Sequence, residues 1–131
     1  MKLTVAAAVI RDGTRILISK RRSGDHMGDC WEFPGGKCAP NETLEACVIR
    51  EIREELGVDI EIERFLLRSI YSYPEHVADL HFYLCRLTSG SPRALGCAAW
   101  AWAEQKELTQ YSFPPANQAV LEWLAHNSAL S

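Results

Sequence analysis

Glu51, Glu54 and Glu55 crowd together in the stretch "REIREELG". On a helix turning about 100° per residue, Glu54 and Glu55 fall about 60° to one side and about 40° to the other of Glu51, so one face carries all three carboxylates. Like charges at such spacings cost a few tenths of a kcal/mol per pair. Two arrangements offset that cost. Arg50 and Arg53 can neutralise the face as a solvated surface laced with ion pairs. Alternatively, the oxygens can serve a hard divalent cation, Mg2+ or Mn2+, which binds best where carboxylates meet substrate phosphates.

The element that must carry this face runs from about Leu44 to Leu56. Thr43 suits the N-cap, Glu45 the positive end of the helix dipole, and Gly57 the left-handed residue that closes the helix. Leu44, Val48, Ile52 and Leu56 recur every fourth residue and give an apolar stripe able to pack on a sheet. Strands supply that sheet. "LTVAAAVI" and "RILISKR" flank the Asp12-Gly13 turn signal and read as an antiparallel hairpin. "DIEIERFLLRSIYSY" and "HVADLHFYLCRL" flank Pro74-Glu75 as a second pair, and "AAWAWAE" is a further short strand. A second helix, "NQAVLEWLAHN", follows Pro114-Pro115 with Val120, Leu121 and Leu124 on its apolar face.

With 131 residues and 47% apolar content, the chain has the size and core of one compact domain. A net charge of -3 supplies no general field for polyanions, which argues against long nucleic acid and makes any phosphate chemistry local. The five cysteines (Cys30, Cys38, Cys47, Cys85, Cys97) are odd in number, lack C-x-x-C spacing and follow no signal sequence. Reduced thiols in the cytoplasm are expected rather than a disulfide framework. The apolar run after the first residues is too short to span a bilayer, so no membrane is expected as a partner.

"GKCAPNETLEACVIREIREELGV" resembles the Nudix box at every fixed position: Gly36, Glu42, Arg50, Glu51, Ile52, Glu54, Glu55, Gly57 and Val58. The resemblance implies an α+β fold, an α/β/α sandwich with a mixed β-sheet and a loop-helix-loop catalytic motif. It implies one Nudix hydrolase domain over residues 1–131, its box at 36–58. The activity implied is hydrolysis of nucleoside diphosphates linked to another moiety, with Mg2+ or Mn2+ as cofactor. By the same resemblance Glu51, Glu54 and Glu55 are metal-binding or base carboxylates, and the Gly35 carbonyl is a further ligand. Arg50 orients the acids, and Glu42 braces the loop by an ion pair with Arg50. Gly35 and Gly36 also have a reason of their own, since a backbone turning sharply beside a metal leaves little room for a β-carbon; an ordinary Pro-Gly-Gly turn would use them equally well.

Further stretches resemble the MutT-type 8-oxo-dGTP diphosphatases of that family: Arg21-Arg22, His26-Met27, "EFPGGK" from Glu32 to Lys37, and "FPPAN" from Phe113 to Asn117. Conversion of a nucleoside triphosphate to its monophosphate and pyrophosphate is implied. So are Asn117 as reader of the oxidised base and Arg22 and His26 as neighbours of the nucleotide. Oxidation at C8 moves a proton onto N7 of guanine, so the N7/O6 acceptor pair becomes donor plus acceptor, which an amide side chain matches. Asn117 is also a natural helix N-cap. Phe113, Trp31 and Phe33 can line a base pocket or simply pack the core, whereas His81, Trp100, Trp102 and Trp123 are read as structural. One feature departs from the pattern: Gly96 stands where MutT-type chains carry a loop acid six residues before a tryptophan, leaving the base role to the helix, or to Glu75 or Asp79. A CTP, 5-methyl-dCTP or broad triphosphate preference, and a catalytically silent nucleotide-binding module, are the alternatives. The partner expected is a small nucleotide, bound by a monomer or, failing that, a dimer.

Overall fold

A computed structural model describes residues 1–24 and 28–127. In chain order the elements are β1 (Lys2–Asp12), β2 (Arg15–Lys20), β3 (Trp31–Glu32), β4 (Gly35–Lys37), α1 (Leu44–Leu56), β5 (Asp59–Ser72), β6 (Val77–Ser89), β7 (Ala99–Glu104), 3-10 turns at Gln105–Gln110 and Pro115–Asn117, and α2 (Gln118–His126). The strands form one mixed sheet of order β3-β2-β1-β6-β5, with β4 added to β1 and β7 to β2. The Asp12-Gly13 hairpin and the β5/β6 pair are antiparallel as expected. β1 and β6 pair in parallel from Lys2 and Val77 to Ile10 and Cys85.

The partners of β1 change along its length, and this change creates the site. Ile10 to Asp12 pair with β2, while Val5 to Ala7 pair with β4. Beyond the hairpin the same edge of β2 pairs with β3 at Ser19 and Lys20, while β7 runs along its other edge from Arg15 to Lys20. The sheet therefore splits between the first half of β1 and the second half of β2, and β3 and β4 line the opening.

Strand alternation puts an apolar layer on each face of the sheet. Val9, Ile16, Ile18, Phe82 and Leu84 pack with Leu108, Val120 and Leu124. On the opposite face Ala8, Ile10, Leu17 and Cys85 pack with Val48, Ile52 and Leu56 of α1. With helix on both faces, the molecule is an α/β/α sandwich. The Thr43 Oγ1 accepts from the Ala46 N–H at 3.1 Å, and Gly57 closes α1 at φ 69° with its N–H donated to the Arg53 carbonyl. Both caps fall where the sequence marks them.

One expectation fails. Cys38 and Cys47 are joined by a disulfide, their Cα atoms 5.3 Å apart, while Cys30, Cys85 and Cys97 are free. Sequence spacing does not reveal the pair, because only the fold of the loop between β4 and α1 brings two positions nine residues apart within bonding distance.

Candidate active site

The split in the sheet holds a cavity of about 540 Å3. One wall is apolar, built from Leu3 and Val5 of β1, Ala78 and Leu80 of β6, and Phe33. Arg21, Arg22, Glu32, Lys37 and Glu55 bring charge to its lining, and Pro114, Ala116 and Asn117 complete it. Apolar surface and charge in one concavity suit a ligand with a flat ring and an anionic tail.

Arg50 organises the acids of α1. Its Nε and Nη2 donate to Glu42 at 2.6 and 2.8 Å, and its Nη1 donates to Glu51 at 2.8 Å and Glu54 at 2.9 Å. The Glu42 carboxyl is held down to about 2 by Arg50 and by the Ala39 N–H. Glu51 lies against Gly36 so closely that a β-carbon there would collide with its carboxylate. Gly35 is equally constrained, since a β-carbon would meet the Ala6 carbonyl and come within 2.6 Å of the Ala7 Cα. Glycine at both positions lets β4 lie flat between β1 and the acid helix.

Glu55 is different. It is 9% exposed and accepts a hydrogen bond from the Ser19 hydroxyl at 3.1 Å. Burial, reinforced by the negative charges of Glu32 and Glu51, pushes its carboxyl up to about 8. Among the described residues Glu55 has no ion-pair partner, and no three acid, histidine or cysteine side chains already converge as ligands would. Arg50 takes the cation's place beside Glu51 and Glu54. The donor set nevertheless fits a hard divalent ion: it offers carboxylate oxygens, and it leaves one buried acid beside two others without a direct counter-charge.

The family profile described as the NUDIX domain matches residues 5–123. The chain belongs to the Nudix family. This Nudix hydrolase is 33% identical over 121 residues to an 8-oxo-dGTP diphosphatase of Escherichia coli (strain K12), covering 92% of the chain and 94% of that relative. It is 32% identical over 126 residues to a CTP pyrophosphohydrolase of the same organism, covering 90% and 87%. The crystal structure of the MutT Nudix hydrolase from Burkholderia pseudomallei matches with a TM-score of 0.84 at 30% identity, covering 93% of this chain and 97% of that one.

The remaining candidates separate within the Nudix scaffold. Arg22 lines the cavity and donates to the Leu95 carbonyl at 3.0 Å. Asn117 is 5% exposed, faces the cavity and makes no side-chain cap bond to α2, so its amide is not used as an N-cap. Phe113 stands behind the cavity wall, stacked on Phe33 at 5.2 Å. His26 lies outside the described residues. Of the two substitutes for the loop acid, Glu75 is exposed and Asp79 is taken up by Arg68, Lys2 and His81; neither lines the cavity. The Leu95 and Gly96 N–H groups both donate to the Glu55 carbonyl at 3.0 Å, and a β-carbon at 96 would sit 3.2 Å from the Glu55 Cα. This loop packs on the end of α1 where an acid would otherwise project.

Sequence reasoning missed Ser19, and it placed Arg21 and Glu32 in the matched stretches without giving either a role. Ser19 pairs directly with Glu32 across β2 and β3, and Arg21 bonds Glu32 at 2.7 Å. A signal was available: Ser19 interrupts the apolar alternation of "RILISK" on the face that turns toward α1.

Proposed function

We propose that this Nudix hydrolase is a divalent-metal-dependent nucleoside triphosphate pyrophosphohydrolase, acting as one domain in the cytoplasm on free nucleotide. Its substrate is 8-oxo-dGTP, cleaved to 8-oxo-dGMP and pyrophosphate. The observation that carries this reading is a single cavity joining the buried Asn117 amide to Glu55 and two arginines. Phe33 offers a flat apolar surface to the base. The Asn117 amide donates to O6 and accepts from the N7 proton that only the oxidised base carries. Ordinary guanine would set acceptor against acceptor, a mismatch worth about 1–3 kcal/mol when buried.

Arg21, Arg22 and Lys37 draw the phosphate chain toward the acid helix. Glu51, Glu54, Glu55 and the Gly35 carbonyl would hold Mg2+ or Mn2+, which when bound neutralises phosphate oxygens and acidifies an attacking water. Glu51 would serve as the proton acceptor, and the Glu42–Arg50 pair holds Glu51 and Glu54 together, with Glu51 against Gly36. With Gly96 in the loop, the base role stays on the helix.

A second reading, preference for CTP, is favoured by the near-equal likeness to a CTP pyrophosphohydrolase. Pyrophosphate release from 8-oxo-dGTP, dGTP and CTP, measured side by side for the wild type and Asn117→Ala, separates the two. Preference for the oxidised nucleotide should fall by tenfold or more in the variant, with a smaller loss of turnover. A wild type that prefers CTP establishes the second reading, and no release from any of the three overturns both.

A further inference from the structure

Cys38 and Cys47 occupy unfixed positions of the Nudix box, so the motif itself requires neither thiol. Cys38 follows β4, where its N–H donates to the Thr4 carbonyl at 2.9 Å. Cys47 lies in the first turn of α1, and its Sγ also meets the Gly36 carbonyl at 3.7 Å. The bond between them closes a loop whose Ala39, Pro40 and Asn41 are all exposed, so core packing reaches that loop only at its ends, through Cys38 and Leu44. Glu42 sits in that loop, grips Arg50, and through Arg50 reaches Glu51 and Glu54. The disulfide thus ties the strand that presents Gly35 and Gly36 to the helix that carries the acids.

We infer that Cys38–Cys47 is a redox-modification site, a clasp that a dithiol reductant opens and an oxidised dithiol closes, and that its state sets how firmly the acid helix is held against the glycine strand. The effect on metal binding rests on the proposed metal-dependent function; the clasp itself does not. Cys38 is half-buried and Cys47 has no exposure, so an incoming thiolate reaches the Cys38 sulfur first. Attack forms a mixed disulfide at Cys38 and releases the Cys47 sulfur as a thiolate, which takes up a proton. The second thiolate of the reductant then displaces Cys38, leaving two protein thiols and one disulfide in the reductant. Closure is the reverse exchange with an oxidised dithiol.

Opening a short loop releases denatured-state entropy, and the melting temperature should fall by roughly 5–10 °C on reduction. After treatment with oxidised dithiothreitol and alkylation in denaturant, Cys30, Cys85 and Cys97 should label while Cys38 and Cys47 do not; after reduction all five should label. Cys38→Ser and Cys47→Ala should each melt near the reduced wild type and ignore reductant, whereas Cys30→Ser keeps the full response. Calorimetry with Mn2+ should find several-fold tighter binding to the bridged form than to the reduced form.

Labelling at all five cysteines after oxidation, or melting that does not change when the bond opens, overturns the clasp. Equal Mn2+ affinity in the two states overturns its coupling to the acid helix. Mn2+ bound by neither state overturns the metal-dependent function instead, while labelling and melting still decide the clasp.

Discussion

At the scale of the residue, the chemistry of this site comes from three acids that share one arginine and a fourth that is buried without a direct counter-charge. Glu42, Glu51 and Glu54 share Arg50, whereas Glu55 is buried against Ser19 and faces Glu32 and Glu51. The spacing of the glutamates was legible because helical geometry fixes it. Which of them is buried was not, because Ser19 and Glu32 reach Glu55 only through strand pairing. The burial has a pH signature. Glu55 titrates near 8 in the fold and near the ordinary 4.5 when unfolded. A raised carboxyl pKa leaves stability fully present below the unfolded value and removes it as pH rises toward the folded one. The metal-free protein should therefore lose stability between about pH 4.5 and 8, by an amount on the order of a few kcal/mol. Thermal melts in chelator across that range should show the decline for the wild type and a flatter curve for Glu55→Gln. Mg2+ should recover more stability at pH 8 than at pH 5. A wild-type curve no steeper than that of Glu55→Gln would show that this carboxyl is not the source.

At the scale of the element, α1 was the most legible part of the chain, since a polar cap, an apolar stripe and a closing glycine mark it independently. β3 and β4 were invisible: "WEFPGGK" reads as a turn, and strands this short exist only because β1 and β2 offer edges to pair with. The parallel pairing of β1 with β6 is likewise a long-range choice that no local pattern states. The end of α1 shows how an element and a loop depend on each other. Gly57 adopts φ 69°, and a β-carbon there would come 2.8 Å from Arg93 Nη2 and 3.1 Å from Leu95 Cδ1. The Arg93, Leu95 and Gly96 N–H groups dock on the Leu56 and Glu55 carbonyls just beside it. Gly57→Ala should lower stability by about 1–2 kcal/mol through left-handed strain alone, with further loss if the loop is pushed off. Gly57→Asn should cost less, because asparagine tolerates that conformation. Urea denaturation of the two variants tests the order; equal losses would point to the contact with Arg93 and Leu95 rather than to backbone strain.

At the scale of the whole molecule, the sandwich keeps its binding wall and its stabilising charges on different faces of the sheet. Ala78 and Leu80 of β6 line the cavity, and Asp79 between them points the other way. There it accepts two hydrogen bonds from Arg68 of β5 at 2.7 and 2.9 Å and pairs with Lys2 of β1 at 3.2 Å, tying three strands at one end of the sheet. His81 lies 3.3 Å from the same carboxylate. Asp79 is 2% exposed, and the Arg68 guanidinium holds its carboxyl well below the usual range. With a depressed pKa the sign is opposite to that of Glu55. The contribution is present above the unfolded value near 3.8 and is lost as pH falls below it. Asp79 is buried but Arg68 and Lys2 are half-exposed, so losing these charge-assisted hydrogen bonds costs about 1.5–3 kcal/mol, and Asp79→Asn should lower the melting temperature by roughly 5–10 °C at pH 7. The difference from wild type should shrink steadily once the pH drops below about 4. Since Asp79 has no place in the cavity, the variant should keep its choice among 8-oxo-dGTP, dGTP and CTP at temperatures where it stays folded. A changed choice would mean that the charges at the sheet end reach the binding wall through β6, and that the two faces are not independent.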